Sequence, residues 1–119
     1  MYLKQPHKVR VDFDDLEFGD QTAEEVLAYK GVLFTGYATF GQYPNGQITA
    51  EEEFRNGRAQ GWKNTYYANG KIERETLVYT GLYSIAFYEY DENGNVIMGG
   101  LLTSQDEYHQ LVKEYRLLD

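Results

Sequence analysis

Tyr43-Pro44-Asn45-Gly46-Gln47-Ile48 and Tyr67-Ala68-Asn69-Gly70-Lys71-Ile72 are two copies of one step, and Tyr90-Asp91-Glu92-Asn93-Gly94-Asn95-Val96 is a third. Asn45, Asn69 and Asn93 stand 24 residues apart, twice over. A branched apolar residue follows each turn, and a glutamate comes three positions later in two copies, Glu51 and Glu75. Gly57 and Gly81 form a second series with the same interval, and Gly31 is a looser earlier match. A recurrence of this length marks a supersecondary unit that buries its apolar face only against its neighbours. Asn-Gly between alternating runs signals a hairpin, because a type I′ turn needs positive φ at both central residues. The reading is one hairpin per unit.

The expected strands cover 32–42, 47–54, 59–67, 72–79, 82–90 and 96–101. Spacing near 12 residues with short turns favours an antiparallel meander over βαβ units. Val9-Arg10-Val11-Asp12-Phe13 alternates and reads as a further strand. Thr22 with Glu25 three residues on forms a capping box, so a short helix is expected up to Gly31. A second helix is expected over 105–117, capped by Thr103 or Ser104, with Tyr108, Leu111, Val112, Tyr115 and Leu118 as its apolar stripe. The fold class is therefore mainly β (α+β): a single curved antiparallel sheet with a helix at each end. Residues 1–30, 31–101 and 102–119 form three parts of one domain.

Composition narrows the function. The 119 residues hold no cysteine, which removes disulfides, thiolate chemistry and Cys-ligated zinc. Nineteen acidic against 11 basic side chains give a net charge of −8, the wrong sign for nucleic acid and the right one for a basic partner. No run approaches a membrane span and the N-terminal residues lack a signal-type apolar core, so a cytoplasmic protein is expected. His7 and His109 lie far from any plausible nucleophile, and no phosphate-binding glycine motif occurs. No enzyme activity, metal or cofactor is expected. Asp12, Asp14, Asp15, Glu17 and Asp20 crowd one turn but lack calcium-loop spacing; they read as a docking patch. In Glu51-Glu52-Glu53, alternation sends Glu51 and Glu53 to one face and Glu52 to the other. Glu51 and Glu75 are expected on one face two strands apart, with Lys63 or Arg74 as ion-pair partners. Trp62 and Tyr66 are expected as exposed anchors.

The run Phe34-Thr35-Gly36, Tyr43-Pro44-Asn45-Gly46-Gln47-Ile48, Glu51, Phe54-Arg55-Asn56-Gly57, Gly61-Trp62, Tyr66-Tyr67, Asn69-Gly70-Lys71-Ile72, Glu75 resembles the MORN-repeat variant, and more closely the YwqK-type antitoxin family of bacteria. The resemblance covers about residues 31–96 and implies a β-repeat scaffold that neutralises a cognate toxin. The third copy departs from it, with Asp91-Glu92 inserted and Gly99 where a glutamate is due, and reads as a capping unit. The expected function is that of an immunity or antitoxin protein, a monomer or weak homo-oligomer, binding a basic, nuclease-like toxin through Asp12, Asp14, Asp15, Glu17, Glu51, Glu53, Trp62, Tyr66 and Glu75. The rival is a MORN-like interaction module with no toxin partner.

Overall fold

The computed structural model describes residues 5–18, 26–80 and 83–119. Its elements are β1 (Arg10–Asp12), a 3-10 turn (Phe13–Asp15), β2 (Glu17–Phe18), β3 (Leu27–Tyr29), β4 (Val32–Leu33), β5 (Gly36–Gln42), β6 (Ile48–Arg55), β7 (Arg58–Tyr66), β8 (Ile72–Thr80), β9 (Tyr83–Tyr90), β10 (Val96–Leu101) and α1 (Gln105–Tyr115). A seven-stranded sheet runs β1-β5-β6-β7-β8-β9-β10, and a second sheet runs β2-β3-β4. From β5 onward, sequence neighbours are sheet neighbours and every pairing is antiparallel.

Three expectations need correction. The sheet is not wholly antiparallel, since β1 pairs in parallel with β5, Val11 opposite Ala38. A second, small sheet is present. The helix expected before Gly31 is not found over 27–29, which form β3; its capping box at Thr22–Glu25 lies outside the described residues. Leu27 donates its N–H to the Gly57 carbonyl, and Gly57 donates to Phe34, so this segment hooks onto the β6–β7 hairpin as extended chain. Leu27 and Phe34 then pack with Val11, Ala38 and Phe54, and that burial outweighs a local helical preference.

The turns also differ from expectation. Positive φ at both central residues occurs at Lys30-Gly31 and Asn56-Gly57, not at the 24-residue series. There only the glycine is left-handed (Gly46 +89°, Gly70 +88°, Gly94 +90°). Gly46 N–H bonds the Tyr43 carbonyl and Tyr43 N–H bonds the Gln47 carbonyl, with the same pattern at Tyr67 and Asp91. This is the three-residue loop, a type I turn followed by a left-handed residue. Asparagine serves it through its side chain instead: Asn45 Oδ1 accepts from Gln47 N–H, and Asn69 Oδ1 from Lys71 N–H. Each turn also ties to the next. The Tyr43 hydroxyl donates to the Tyr66 carbonyl and Asn45 Nδ2 to that of Ala68; Tyr67 and Asn69 repeat both bonds to Tyr90 and Glu92. Nothing is inserted in the third copy. Asp91 occupies the position of Tyr43 and Tyr67, and its carboxylate accepts from Asn93 and Asn95 N–H, closing the series locally.

Ser104 caps α1 by accepting from Glu107 N–H, and Arg116 ends it in the left-handed region at φ +52°. Tyr108 and Leu117 bury against Trp62, Leu77, Ile85 and Ala86, with Leu111, Val112 and Leu118 alongside, so the helix roofs one face of β7–β9.

Gly70→Val forces a β-branched residue into the left-handed region and places Cβ 3.0 Å from Gln47 Oε1. The expected loss is about 1–3 kcal/mol, read as a lower urea midpoint with an unchanged slope.

Candidate functional site: a strapped row of buried carboxylates

Register puts Thr39, Glu51, Asn64, Glu75, Tyr88 and Gly99 in one row across six strands. In the next row Trp62, Leu77, Ala86 and Leu101 lie side by side. A polar row therefore borders the apolar ground under α1. Glu51 and Glu75 do share a face, as their spacing implies, with Asn64 between them. They are not on the surface: Glu51 is 1% and Glu53 0% exposed, and Glu75 is buried too.

Residues 5–10 cross this face as a strap. Gln5 Nε2 donates to Asn64 Oδ1 and to Glu75 Oε2, both at 2.8 Å, and Asn64 Nδ2 returns a bond to Gln5 Oε1. Lys8 pairs with Glu53. The Arg10 guanidinium grips Glu51 with two bonds, 2.7 Å from Nε and 3.2 Å from Nη2. Asn64 Nδ2 and the Tyr66 hydroxyl complete Glu51, at 2.9 and 2.6 Å. The Tyr90 hydroxyl makes the matching 2.6 Å bond to Glu75 one unit later. Burial raises the pKa of Glu51, but the bonds from Arg10, Tyr66 and Asn64 outweigh it and leave the carboxyl below its ordinary value. The hydrogen bond to Glu51 in turn raises the Arg10 pKa. The Tyr66 hydroxyl is pushed up, by burial first and by its bond to Glu51 second.

Glu53 is the junction. Besides Lys8 it takes Arg55 Nε at 3.1 Å and the Trp62 N–H at 3.0 Å. Gly61 makes the room, since a Cβ there would sit 2.1 Å from Glu53 Oε1. Arg55 carries the link onward: Nη1 donates to the carbonyls of Tyr115 and Arg116, and Nη2 to that of Leu117, satisfying the end of α1.

The remaining candidates fall into two groups. Trp62 is not an exposed anchor: it is 1% exposed inside the helix-covered core, and its Nε1 has no partner among the described residues. Tyr66 is half-buried with its hydroxyl committed to Glu51. Lys63 and Arg74 are not the partners of the carboxylate row; Arg74 instead pairs with Glu89 on the opposite face. Asp12, Asp14, Asp15 and Glu17 are exposed on the 3-10 turn and its flanks. Asp12 accepts from Asp14 N–H and Glu17 from Gly31 N–H, which fixes the turn with its acids outward. Asp20 lies outside the described residues. Sequence reasoning missed Gln5, Lys8, Arg10, Arg55 and Asn64. The signal was there: Lys8 and Arg10 repeat the two-residue spacing of Glu53 and Glu51, so the two cations of the strap can meet the two carboxylates over the sheet face.

A cleft of about 300 Å³ remains beside the strap, lined by Pro6, His7, Arg10, Tyr66, Ile72 and Glu75. Among the described residues no group of three His, Asp or Glu side chains is placed to hold a metal ion, and no helix is long and apolar enough to cross a membrane. Comparison with protein-family models, curated proteins and solved structures finds no match to this chain.

Two outcomes follow from this arrangement. The Glu51 contribution is fully present above the ordinary glutamate value of about 4.5 and is lost as pH falls through the lower folded value, because the unfolded chain takes up protons first. Unfolding free energy measured against pH should thus drop in acid, and Glu51→Gln should flatten that drop. Arg55→Met should cost about 3 kcal/mol, since it leaves Glu53 short of a buried partner and frees the end of α1. Arg55→Lys should recover little of it, as one ammonium cannot span a carboxylate and three carbonyls.

Proposed function

We propose that this chain is an immunity or antitoxin protein, a MORN-repeat variant of the YwqK-like kind, that binds a basic toxin and blocks it. The observation that carries the reading is the exposed acidic turn Asp12, Asp14, Asp15 and Glu17, which leads directly into exposed Phe18. Charge there steers a basic partner, and an apolar neighbour supplies contact that water gives up on docking.

The disposition of the other charges supports the same reading. Setting aside buried Glu51, Glu53 and Glu75, and the three cations Lys8, Arg10 and Arg55 that meet the first two, leaves 16 acidic side chains against 8 basic from the original 19 and 11. The net charge is unchanged, but the charge left outside the row is two to one acidic. Glu51, Glu53, Trp62, Tyr66 and Glu75 act in this scheme by holding the sheet in shape, and the partner meets other residues. An enzyme is disfavoured on the same ground: the clustered carboxylates are capped by the chain's own cations and amides.

Co-expression with a cognate basic toxin should restore growth, and the purified pair should form a complex. Reversing Asp14, Asp15 and Glu17 to lysine should slow association by roughly tenfold at low ionic strength and flatten its salt dependence, with a smaller effect on dissociation. Glu51→Gln should change binding only as far as it changes the folded fraction. Growth rescue without a complex would remove direct inhibition. A chain that neutralises nothing yet binds other proteins would be the MORN-like interaction module.

A further inference from the structure

The two edges of the large sheet are treated differently. At one edge β5 is covered by β1 and by the strap that precedes it. At the other edge stands β10, Val-Ile-Met-Gly-Gly-Leu, with no strand beyond it among the described residues. Folded proteins guard such edges with lysines, prolines or very short strands, because free backbone N–H and C=O groups template further pairing. β10 has six residues, no proline and no charge, and the uncharged stretch continues to Gln105. Its one irregularity is a register shift against β9 between Val96 and Met98. Ile97 is 61% and Met98 53% exposed; Val96, Leu101 and Leu102 are exposed as well. Gly99 and Gly100 keep the middle of the strand low, so an incoming backbone meets no side chain there.

Charge chooses the occupant. The strand is apolar, but acids stand at both ends: Asp91 and Glu92 in the turn before it, Asp106 and Glu107 in the first turn of α1 after it. Hydrogen bonds from the backbone of Asn95 and Asn93 hold the Asp91 carboxyl below its ordinary pKa, so it stays ionised. Two copies of this chain paired antiparallel through β10 would set Asp91 and Glu92 of one against Asp106 and Glu107 of the other, at both ends of the contact. Repulsion of that kind is a common device against the wrong partner. A segment with lysine or arginine at its ends and alternating apolar residues between them would gain at every position.

We propose that β10 is a strand-addition site, taking as an eighth strand, antiparallel to it, an extended, basic-flanked apolar segment of another protein. Main-chain hydrogen bonds to the open edge would give affinity, and Ile97, Met98 and the terminal acids would give selectivity. The site lies apart from the acidic turn at Asp12–Glu17 and does not depend on the partner being a toxin.

The test is a phage-displayed library of random 12-residue peptides, selected on the full chain. Enriched sequences should carry Lys or Arg near both ends around alternating branched or aromatic residues. A synthetic peptide from the selection should perturb the backbone amides of 96–101 in NMR spectra and slow their hydrogen exchange. Ile97→Lys with Met98→Lys should weaken its binding at least tenfold while the melting temperature holds; Asp106→Lys with Glu107→Lys, outside the strand, should weaken it several-fold. Failure to enrich any peptide, enrichment of acid-flanked peptides, or perturbation elsewhere on the sheet would each overturn the proposal. So would sedimentation showing a dimer of the native chain that the Ile97→Lys, Met98→Lys variant abolishes, because the edge would then belong to a second copy.

Discussion

The carboxylate of Glu53 joins three parts of the chain. Lys8 comes to it from the N-terminal strap, Arg55 from the same strand, and the Trp62 N–H from the next strand. Arg55 then passes the connection to the carbonyls closing α1. A fully buried ion is costly to desolvate, and breaking such a set by removing one member leaves charge without compensation. Strap, sheet and helix are thereby tied to one atom pair. Gly61 belongs to the same constraint, since the carboxylate occupies the space any side chain there would fill.

Around that junction the sheet is built by translation. Tyr43 and Tyr67, Asn45 and Asn69, and Tyr66 and Tyr90 make corresponding bonds one unit apart. Each unit's tyrosine hydroxyl and asparagine amide reach forward to carbonyls of its successor. The third unit breaks the series twice. Asp91 replaces the tyrosine that would reach onward, and Gly99 stands where Glu51 and Glu75 stand in earlier units. At Gly99 a Cβ would lie 2.5 Å from Tyr88 Cδ1, so a tyrosine ring takes the space of the missing carboxylate. The polar row thus ends at β9, and β10 is left apolar.

Most strand boundaries were legible because two independent signals agree there, turn residues at fixed intervals and a branched residue after each turn. Ile48, Ile72 and Val96 each open a strand. The turn type was not legible: Asn-Gly serves both the two-residue and the three-residue loop, and the choice depends on whether asparagine bonds through its backbone geometry or its side chain. Alternation correctly put Glu51, Glu53 and Glu75 on one face, yet it carries no information on which face is covered. That depended on residues 5–10, whose Lys8 and Arg10 read as ordinary surface until set beside Glu53 and Glu51. The segment at 27–29 misled because the capping box before it points to a helix, while the Gly57 carbonyl offered it an extended-chain partner.

Two groups of acids in this chain differ by location, with opposite consequences. Glu51 and Glu53 are paired with cations in place, and Glu75 is buried under an amide and a hydroxyl, so none of the three offers its carboxylate to a partner. Those on the 3-10 turn and at the ends of β10 face water, where fields extend over about 8 Å at physiological salt. Only the second kind can steer an encounter. Under the two proposals, a partner attracted by them would meet one surface held in shape, because Glu17 and Asp12 pin its backbone, and another that is an unfinished sheet edge. The first favours rapid approach and the second favours slow release, since backbone pairing along six residues must come apart together. A partner using both surfaces would thus have its association and its dissociation set by different stretches of the chain, while the internal carboxylates hold the two surfaces on one frame.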